Sequence, residues 1–91
     1  MNNVTDMYFV AALIAYGADY VGVDRADKRN QIFAFKEPTR IPQIYIKDQE
    51  EVITISEPSF DEVKHAFDTL KLLYPPNYVE ALRKVKGIIH T

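Results

Sequence analysis

The chain of 91 residues has no cysteine and few glycines or serines. Without cysteine it forms no disulfide, no thiolate zinc site and no thiol nucleophile, which favours a reducing compartment. Its three glycines stand alone at positions 17, 22 and 87, so the chain has no glycine-rich phosphate loop. Its two serines, Ser56 and Ser59, lie in no Gly-x-Ser-x-Gly elbow. These absences exclude the motifs of the commonest nucleotide-binding and covalent-catalysis proteins.

A long hydrophobic run and a strong net charge are also missing. The main apolar stretch, Met7–Ala15, is far shorter than the roughly 20 residues that cross a bilayer. Asp6 precedes it, where a secretory signal carries Lys or Arg. The formal net charge of −2 creates no field that attracts nucleic acid or anionic lipid. We therefore predict one soluble, cytoplasmic domain over residues 1–91, with no membrane partner.

An apolar helix is predicted over residues 6–16, with Thr5 as its N-cap and Gly17 in the left-handed position after its end. The helix has almost no polar face, which predicts burial on two sides. Residues Tyr8, Ala12 and Tyr16 form a surplus apolar face, and in so small a domain this face favours a second subunit, hence a homodimer.

Two strands follow the helix, over residues 19–25 and 31–36, because β-branched and aromatic residues alternate there. We expect four side chains of these strands to pack on the helix: Val21, Val23, Phe33 and Phe35. Residues 39–56 have two readings. The segments 44–46 and 52–55 suit two short strands around a loop at 47–51, whereas residues 41–48 suit one face of a short helix. The β-branched content favours the strands.

Two helices are predicted in the C-terminal part. Ser59 and Glu62 form a capping box, and apolar residues then recur at helical spacing up to Tyr74, where Pro75-Pro76 ends the helix. Asn77 with Glu80 offers a second capping pair for a last amphipathic helix. The predicted fold class is α+β: an N-terminal helix, an antiparallel hairpin that a second short hairpin extends, and two C-terminal helices.

Candidate chemistry is sparse. Asp61, Glu62 and His65 lie within one turn of each other on a helical face, but metal sites usually need three or four converging ligands, and a solvated face is the better interpretation. Carboxylate pairs at 24/27 and 50/51 fall in predicted turns, where solvated charges are the better interpretation than a buried acid/base pair. We predict no enzymatic activity, no cofactor and no metal.

Two sets of residues suggest binding. Arg25, Lys28 and Arg29 gather at the tip of the first hairpin, like the wing of a winged-helix domain that touches phosphate, although Asp24 and Asp27 dilute the charge and a solvated loop is the simpler reading. The second set consists of tyrosines expected at the surface, where an amphipathic ring can anchor an interface: Tyr45, Tyr74 and Tyr78.

Four strings of the sequence, Tyr8-Phe-Val-Ala-Ala-Leu-Ile-Ala-Tyr-Gly17, Val21-Gly-Val23, Ile32-Phe-Ala-Phe35 and Phe67-Asp-Thr-Leu-Lys-Leu-Leu-Tyr74, resemble a small family of uncharacterised phage and mobile-element domains. The resemblance implies a context and no mechanism. We expect a small non-enzymatic protein that binds a host or viral protein, as an inhibitor of or accessory to a nucleic-acid machine. The alternative is a nucleic-acid-binding regulator that uses Arg25, Lys28 and Arg29.

Overall fold

The computed structural model describes residues 1–27 and 29–90, and in this part of the chain three helices and five antiparallel strands form a mixed α+β fold. In chain order the elements are β1 (Asn2–Val4), α1 (Met7–Ala15), β2 (Tyr20–Asp24), β3 (Ile32–Phe35), β4 (Gln43–Asp48), β5 (Glu51–Ser56), α2 (Phe60–Asp68) and α3 (Tyr78–Ile89). The predicted α+β class and both predicted hairpins are confirmed, but the second hairpin forms a sheet of its own and does not extend the first.

The first hairpin is part of a three-stranded sheet in the order β1-β3-β2, with β3 in the centre. Strand β1 was not expected from the sequence, because three residues are too few for a recognisable alternation. Its position is set by pairing with β3, in which Val4 lies opposite Phe33. Phe33 and Phe35 are buried, as predicted, since the central strand turns them into the core.

The prediction that Val21 packs in the core is wrong. The register between β2 and β3 shifts between Tyr20 and Gly22, so one extra residue is accommodated at Val21. A β-bulge of this kind changes which side chains share a face. Tyr20 therefore takes the inward position, with its ring 6.1 Å from Phe33 and 5.9 Å from Phe35, while Val21 is 53% exposed.

Helix α1 is capped at both ends by short-range contacts. Its N-cap is Asp6 rather than the predicted Thr5, since the Asp6 carboxylate accepts the amide protons of Tyr8 at 2.8 Å and Phe9 at 3.3 Å. At the other end Gly17 has φ +94°, as predicted, and the amide of Ala18 donates to the Leu13 carbonyl at 2.9 Å. These bonds form a Schellman motif, which needs a left-handed residue at Gly17.

The middle of α1 lies at the centre of the core. Five consecutive residues, 9–13, are buried, and together they cover every direction around the helix axis. Helix α3 packs along α1 and contributes Ala81 and Val85 to the same core that contains Phe33 and Phe35. The predicted two-sided burial is confirmed, and both sides are covered by this chain itself.

The second hairpin consists of β4 and β5, so the alternative of a short helix over residues 41–48 is wrong. The strands are longer than expected and join through two residues, Gln49 and Glu50, instead of a loop over 47–51. Gln49 has φ +57°, the left-handed conformation that so tight a turn requires. Ile44, on the inner face of β4, is fully buried and holds the hairpin to the core.

Helix α2 begins at the predicted capping box but ends six residues earlier than Tyr74. The Ser59 hydroxyl and the Glu62 carboxylate each accept an amide bond, at 3.1 and 3.0 Å. After Asp68 the chain reverses through Leu70, which has φ +60°. A left-handed leucine costs about 1–2 kcal/mol, and its side chain is 90% exposed, so burial does not offset this cost.

The early end of α2 has a tertiary cause. Residues 71–73 run antiparallel to the outer side of β4: the amide of Lys47 donates to the Lys71 carbonyl at 2.8 Å, and that of Leu73 to the Tyr45 carbonyl at 2.9 Å. Leu72 becomes buried in this position. Pairing with β4 therefore replaces the last helical turns that the apolar spacing had predicted.

Helix α3 begins differently from the prediction. The Asn77 side chain makes no capping bond, and its Nδ2 donates instead to the carbonyl of Ala15 at 3.2 Å. This bond satisfies a carbonyl at the end of α1 that has no helical partner. Asn77 thus joins two helices rather than capping one.

Candidate functional site

The charged loop between β2 and β3 is organised by its own side chains. Asp24 accepts the amide proton of Ala26, and Asp27 accepts that of Arg29, each at 2.9 Å. Aspartate commonly stabilises turns through such local bonds. The two carboxylates are therefore explained as turn-forming groups, as the sequence indicated.

Arg25 is directed at the end of α3. Its guanidinium donates to the Ile88 carbonyl at 2.6 Å, and the side-chain Nε2 of Gln31 donates to the Ile89 carbonyl at 3.2 Å. A cation is favoured at a helix C-terminus, where carbonyls have no helical partner. Arg25 therefore has a structural role at the end of α3.

The other two residues of the predicted basic set are not placed in such a contact within the described part of the chain. Arg29 is exposed, and Lys28 lies outside the described residues.

The predicted surplus face of α1 is divided by the structure. Ala12 is fully buried within this chain, while Tyr8 is 52% exposed and Tyr16 is partly buried. The apolar excess that favoured a second subunit is thereby largely covered within the chain. The homodimer stays a prediction, but the surplus apolar face of α1 no longer supports it.

Tyr16 connects three segments of the chain. Its hydroxyl donates to the Leu73 carbonyl and accepts the amide proton of Tyr45 at 3.3 Å. Burial raises the pKa of this phenol, and the nearby Tyr45 phenol raises it further, although the bond from the Tyr45 amide acts in the opposite direction. Tyr16 therefore holds residues 71–73 and β4 against α1.

Three other tyrosines form what we call the tyrosine surface: Tyr8, Tyr74 and Tyr78. The rings of Tyr74 and Tyr78 stack with centroids 4.3 Å apart and planes 27° apart, and the Tyr78 hydroxyl donates to the Tyr8 carbonyl at 3.5 Å. Tyr8 and Tyr74 are each about half exposed, at 52% and 48%. Tyr78 is partly buried.

The sequence builds this stack locally. Pro75-Pro76 has two fixed φ angles, and the amide of Tyr78 donates back to the Pro75 carbonyl at 2.9 Å. This turn sets Tyr74 beside Tyr78 at the start of α3. Burial raises the pKa of Tyr78, and so do the nearby Tyr74, Tyr8 and Asp6 groups. The phenol thus stays protonated at neutral pH.

The raised pKa values of Tyr16 and Tyr78 predict a loss of stability in alkali. A phenol whose folded pKa exceeds its ordinary value of 10.0 contributes stability that is complete below pH 10 and is lost as the pH rises through the folded pKa. We expect urea midpoints to fall above pH 10, and to fall less steeply in the double variant Tyr16→Phe/Tyr78→Phe. An equal fall in both proteins would contradict this assignment.

The candidate metal residues do not form a ligand set. Glu62 is engaged in the capping box, and His65 and Asp61 are exposed on α2. Among residues 1–27 and 29–90, no group of three or more His, Asp or Glu side chains is close enough to hold an ion. In the same part of the chain, no helix has both the length and the apolar character needed to span a membrane.

A shallow cavity of about 650 Å³ lies between the start of β4 and the start of α2. Its lining includes Arg40, Pro42, Glu57 and Pro58. Thr39 in its wall is buried but satisfied, since it accepts from Asn2 at 2.6 Å and donates to the Lys36 carbonyl at 3.0 Å. The cavity therefore shows no unpaired polar group from Thr39 that would select a ligand.

Comparisons with protein-family models, with curated proteins and with solved structures found no match for this chain. The resemblance to phage and mobile-element domains therefore stays a prediction. Of the residues proposed from sequence, the structure brings Tyr8, Tyr74 and Tyr78 together. The sequence indicates only that Tyr74 and Tyr78 are four residues apart. It does not indicate that Tyr8 joins them, because α1 meets these residues only through tertiary packing.

Proposed function

We propose that this chain is a small non-enzymatic protein-binding module that docks a partner protein on the tyrosine surface. The observation that carries the proposal is the pair of half-exposed tyrosines, Tyr8 and Tyr74, which Tyr78 joins by stacking on the Tyr74 ring and by a hydrogen bond to the Tyr8 carbonyl. Soluble proteins usually bury large aromatic side chains, and tyrosine is enriched at interfaces because one end of the ring is apolar and the other polar.

The Tyr74 side chain is held in place, which favours binding. Its ring stacks on Tyr78, and the turn at Pro75-Pro76 fixes the position of the two residues relative to each other. A side chain that is already ordered loses little conformational entropy when a partner arrives. Aromatic residues of this kind often carry most of the binding free energy of an interface.

A protein partner is favoured over nucleic acid on charge. Asp6 lies near Tyr78, and the chain carries a net charge of −2, both of which repel a phosphate backbone. In the alternative, nucleic acid binds the loop through Arg25, Lys28 and Arg29, but the guanidinium of Arg25 already bonds the end of α3. Arg29 is the one residue of that set, within the described part of the chain, whose side chain is not assigned a structural role.

The biological setting is part of the proposal. We place the module in a phage or another mobile element, where it inhibits or assists a host or viral nucleic-acid machine. The support is the resemblance of its helix, hairpin and Leu-Lys-Leu-Leu-Tyr strings to such domains. A cytoplasmic location follows from this setting and from the absence of cysteine.

We expect Tyr74→Ala to lower affinity for the partner by at least about tenfold, as for an aromatic hot spot. A photo-crosslinking phenylalanine analogue at position 74, with the same analogue at exposed His65 of α2 as control, identifies the partner by mass spectrometry. Affinity is then measured by calorimetry, with Val21→Ala as a matched variant, because Val21 is similarly exposed on β2.

The expected result is a partner that crosslinks through position 74 and not through position 65. Tyr74→Phe should keep most of the affinity, since the stacked ring is retained. Crosslinking of equal yield at both positions, or equal affinity of Tyr74→Ala and Val21→Ala, contradicts docking on the tyrosine surface.

A further inference from the structure

The outer side of β5 is an open sheet edge in the described part of the chain. One side of β5 pairs with β4, and the far side of β4 pairs with residues 71–73. The second sheet is thus complete on the β4 side and ends at β5. Five of the six residues of β5 are exposed.

The backbone groups on this edge are oriented for pairing. Asp48 and Glu51 flank a two-residue turn, so they form a hydrogen-bonded pair, and such pairs recur at every second residue. The N–H and C=O groups of Val52 and Thr54 consequently point away from β4. The bonds of β4 agree with this alternation. Tyr45 and Lys47 lie opposite Thr54 and Val52, and their backbone groups bond to residues 71–73 on the side away from β5.

Strand β5 lacks most of the features that protect a sheet edge, and its one charged residue, Glu51, is at its start. Natural sheet edges are blunted by charged side chains, especially lysine, by proline, by a bulge or by a very short strand. Strand β5 is six residues long, pairs without a register shift, and contains no proline or lysine. By contrast, the edge strand β2 of the first sheet carries the bulge at Val21. Val52 at 62% exposed and Ile53 at 39% add apolar surface to this edge.

Carboxylates without ion pairs flank the edge at both ends. Glu50 precedes the strand, Glu51 is its first residue and Glu57 follows it, and none of them is in a salt bridge within residues 1–27 and 29–90. The nearby Asp48 is already paired with Lys71 at 3.5 Å. An added strand therefore meets an uncharged β-branched centre, Val52–Ile55, between two acidic ends.

A second copy of this chain fits the edge poorly. In an antiparallel pair of β5 with its copy, residues whose backbone N–H and C=O groups point outward must lie opposite each other. Only two registers meet this condition and still pair most of the strand. If Thr54 pairs with Thr54 of the copy, Glu51 lies at the end of the copy's strand, where Glu57 follows with φ +46° and leaves the extended conformation. If Ile53 pairs with Ile53 of the copy, Glu51 lies opposite Ile55, two residues before Glu57 of the copy. Both registers bring Glu51 towards Glu57 of the copy, where like charges are unfavourable, and the symmetry repeats each approach.

We propose that the β5 edge binds an extended segment of a partner protein by strand addition, and that this segment carries lysine or arginine at each end of an uncharged β-branched centre. Main-chain bonds to Val52 and Thr54 supply affinity, and the cations at the ends pair with Glu51 and Glu57. This edge is separate from the tyrosine surface, so the two proposals succeed or fail independently.

The test uses the full chain and two synthetic peptides with blocked ends, Lys-Thr-Val-Thr-Val-Thr-Lys and Glu-Thr-Val-Thr-Val-Thr-Glu. We expect saturable binding of the lysine peptide, with increased hydrogen-exchange protection of the Val52 and Thr54 amides. We expect the glutamate peptide to bind at least about tenfold more weakly, because two attractions become repulsions.

Two variants separate strand addition from other binding. Thr54→Pro removes the outward-pointing N–H of residue 54 and leaves every hydrogen bond to β4 in place. It should therefore weaken lysine-peptide binding at least about tenfold while the protein stays folded. Thr54→Ala retains that N–H and is its matched control, with affinity expected within about twofold of the wild type. Glu51→Lys should reduce the preference for the lysine peptide without touching the backbone, and Tyr74→Ala should leave this binding unchanged.

Several results would overturn the proposal. Equal affinity for the two peptides would show that charge at the strand ends does not select the partner. Protection of amides elsewhere, with Val52 and Thr54 unchanged, would place the peptide on another surface. A dimer that Thr54→Pro converts to a monomer would assign the edge to a second copy of the chain.

Discussion

Replacing Ala12 by glutamate is expected to unfold the protein. Ala12 is fully buried in the core, so the new carboxylate would enter the core without a partner. Burial of an unpaired charge costs several kcal/mol, a large share of the roughly 5–15 kcal/mol that stabilises a small domain. Circular dichroism and urea unfolding at neutral pH measure this loss directly.

The matched control for Ala12→Glu is Tyr8→Glu, on the same helix at a half-exposed position. We expect this control to stay folded, because its carboxylate reaches water near the positive end of α1. The pair also tests the predicted homodimer. If Ala12→Glu gave a folded monomer from a dimeric wild type, Ala12 would lie between subunits and its burial within this chain would be contradicted.

Replacing Phe9 by alanine is expected to lower the free energy of unfolding by about 3–5 kcal/mol, as for other buried phenylalanines. The Phe9 ring is 3% exposed and lies 4.8 Å from the ring of Phe67 and 5.8 Å from that of Phe60. These two contacts join α1 to α2. We therefore expect hydrogen-exchange protection in α2 to fall more than protection in the β1-β3-β2 sheet.

Phe9→Leu is the control, because it keeps most of the buried volume and should cost less than about 1.5 kcal/mol. Equilibrium urea unfolding gives the free energies, and exchange measured residue by residue gives the distribution of the loss. An equal loss of protection in α2 and in the sheet would show that Phe9 stabilises the whole core rather than the attachment of α2.

Local features of the fold could be read from the sequence wherever one short segment contains the whole motif. The capping box of Ser59 and Glu62 and the left-handed Gly17 each depend on hydrogen bonds within a few residues. The strands β4 and β5 follow from a high content of β-branched residues. Such motifs need no information about the rest of the molecule.

Three departures from the sequence predictions have non-local causes. Val21 leaves the core because β3 sets the register of β2, and a bulge admits one extra residue. Helix α2 stops at Asp68 because residues 71–73 pair with β4. Ala12 is fully buried without a second subunit, because other segments of this chain cover it. In each case the deciding partner is distant in the chain.

The candidate sites show the same division. Tyr74 and Tyr78 were predicted as surface anchors, and the turn at Pro75-Pro76 between them is local enough to produce their stack. Tyr8 joins them only because α3 packs on α1, and Tyr16 becomes a structural link for the same reason. The open edge of β5 depends on which side of β4 receives residues 71–73.

The sequence by itself determined the α+β class, the caps at Gly17 and Ser59, and the absence of cysteine chemistry, since these depend on composition and local bonding. Tertiary structure alone decided that Arg25 caps α3, that Tyr8 meets Tyr78, and that β5 is left at an edge. The physical reason is that packing and strand pairing join segments far apart in the chain. Their outcome depends on the competition among all such pairings and not on any one segment.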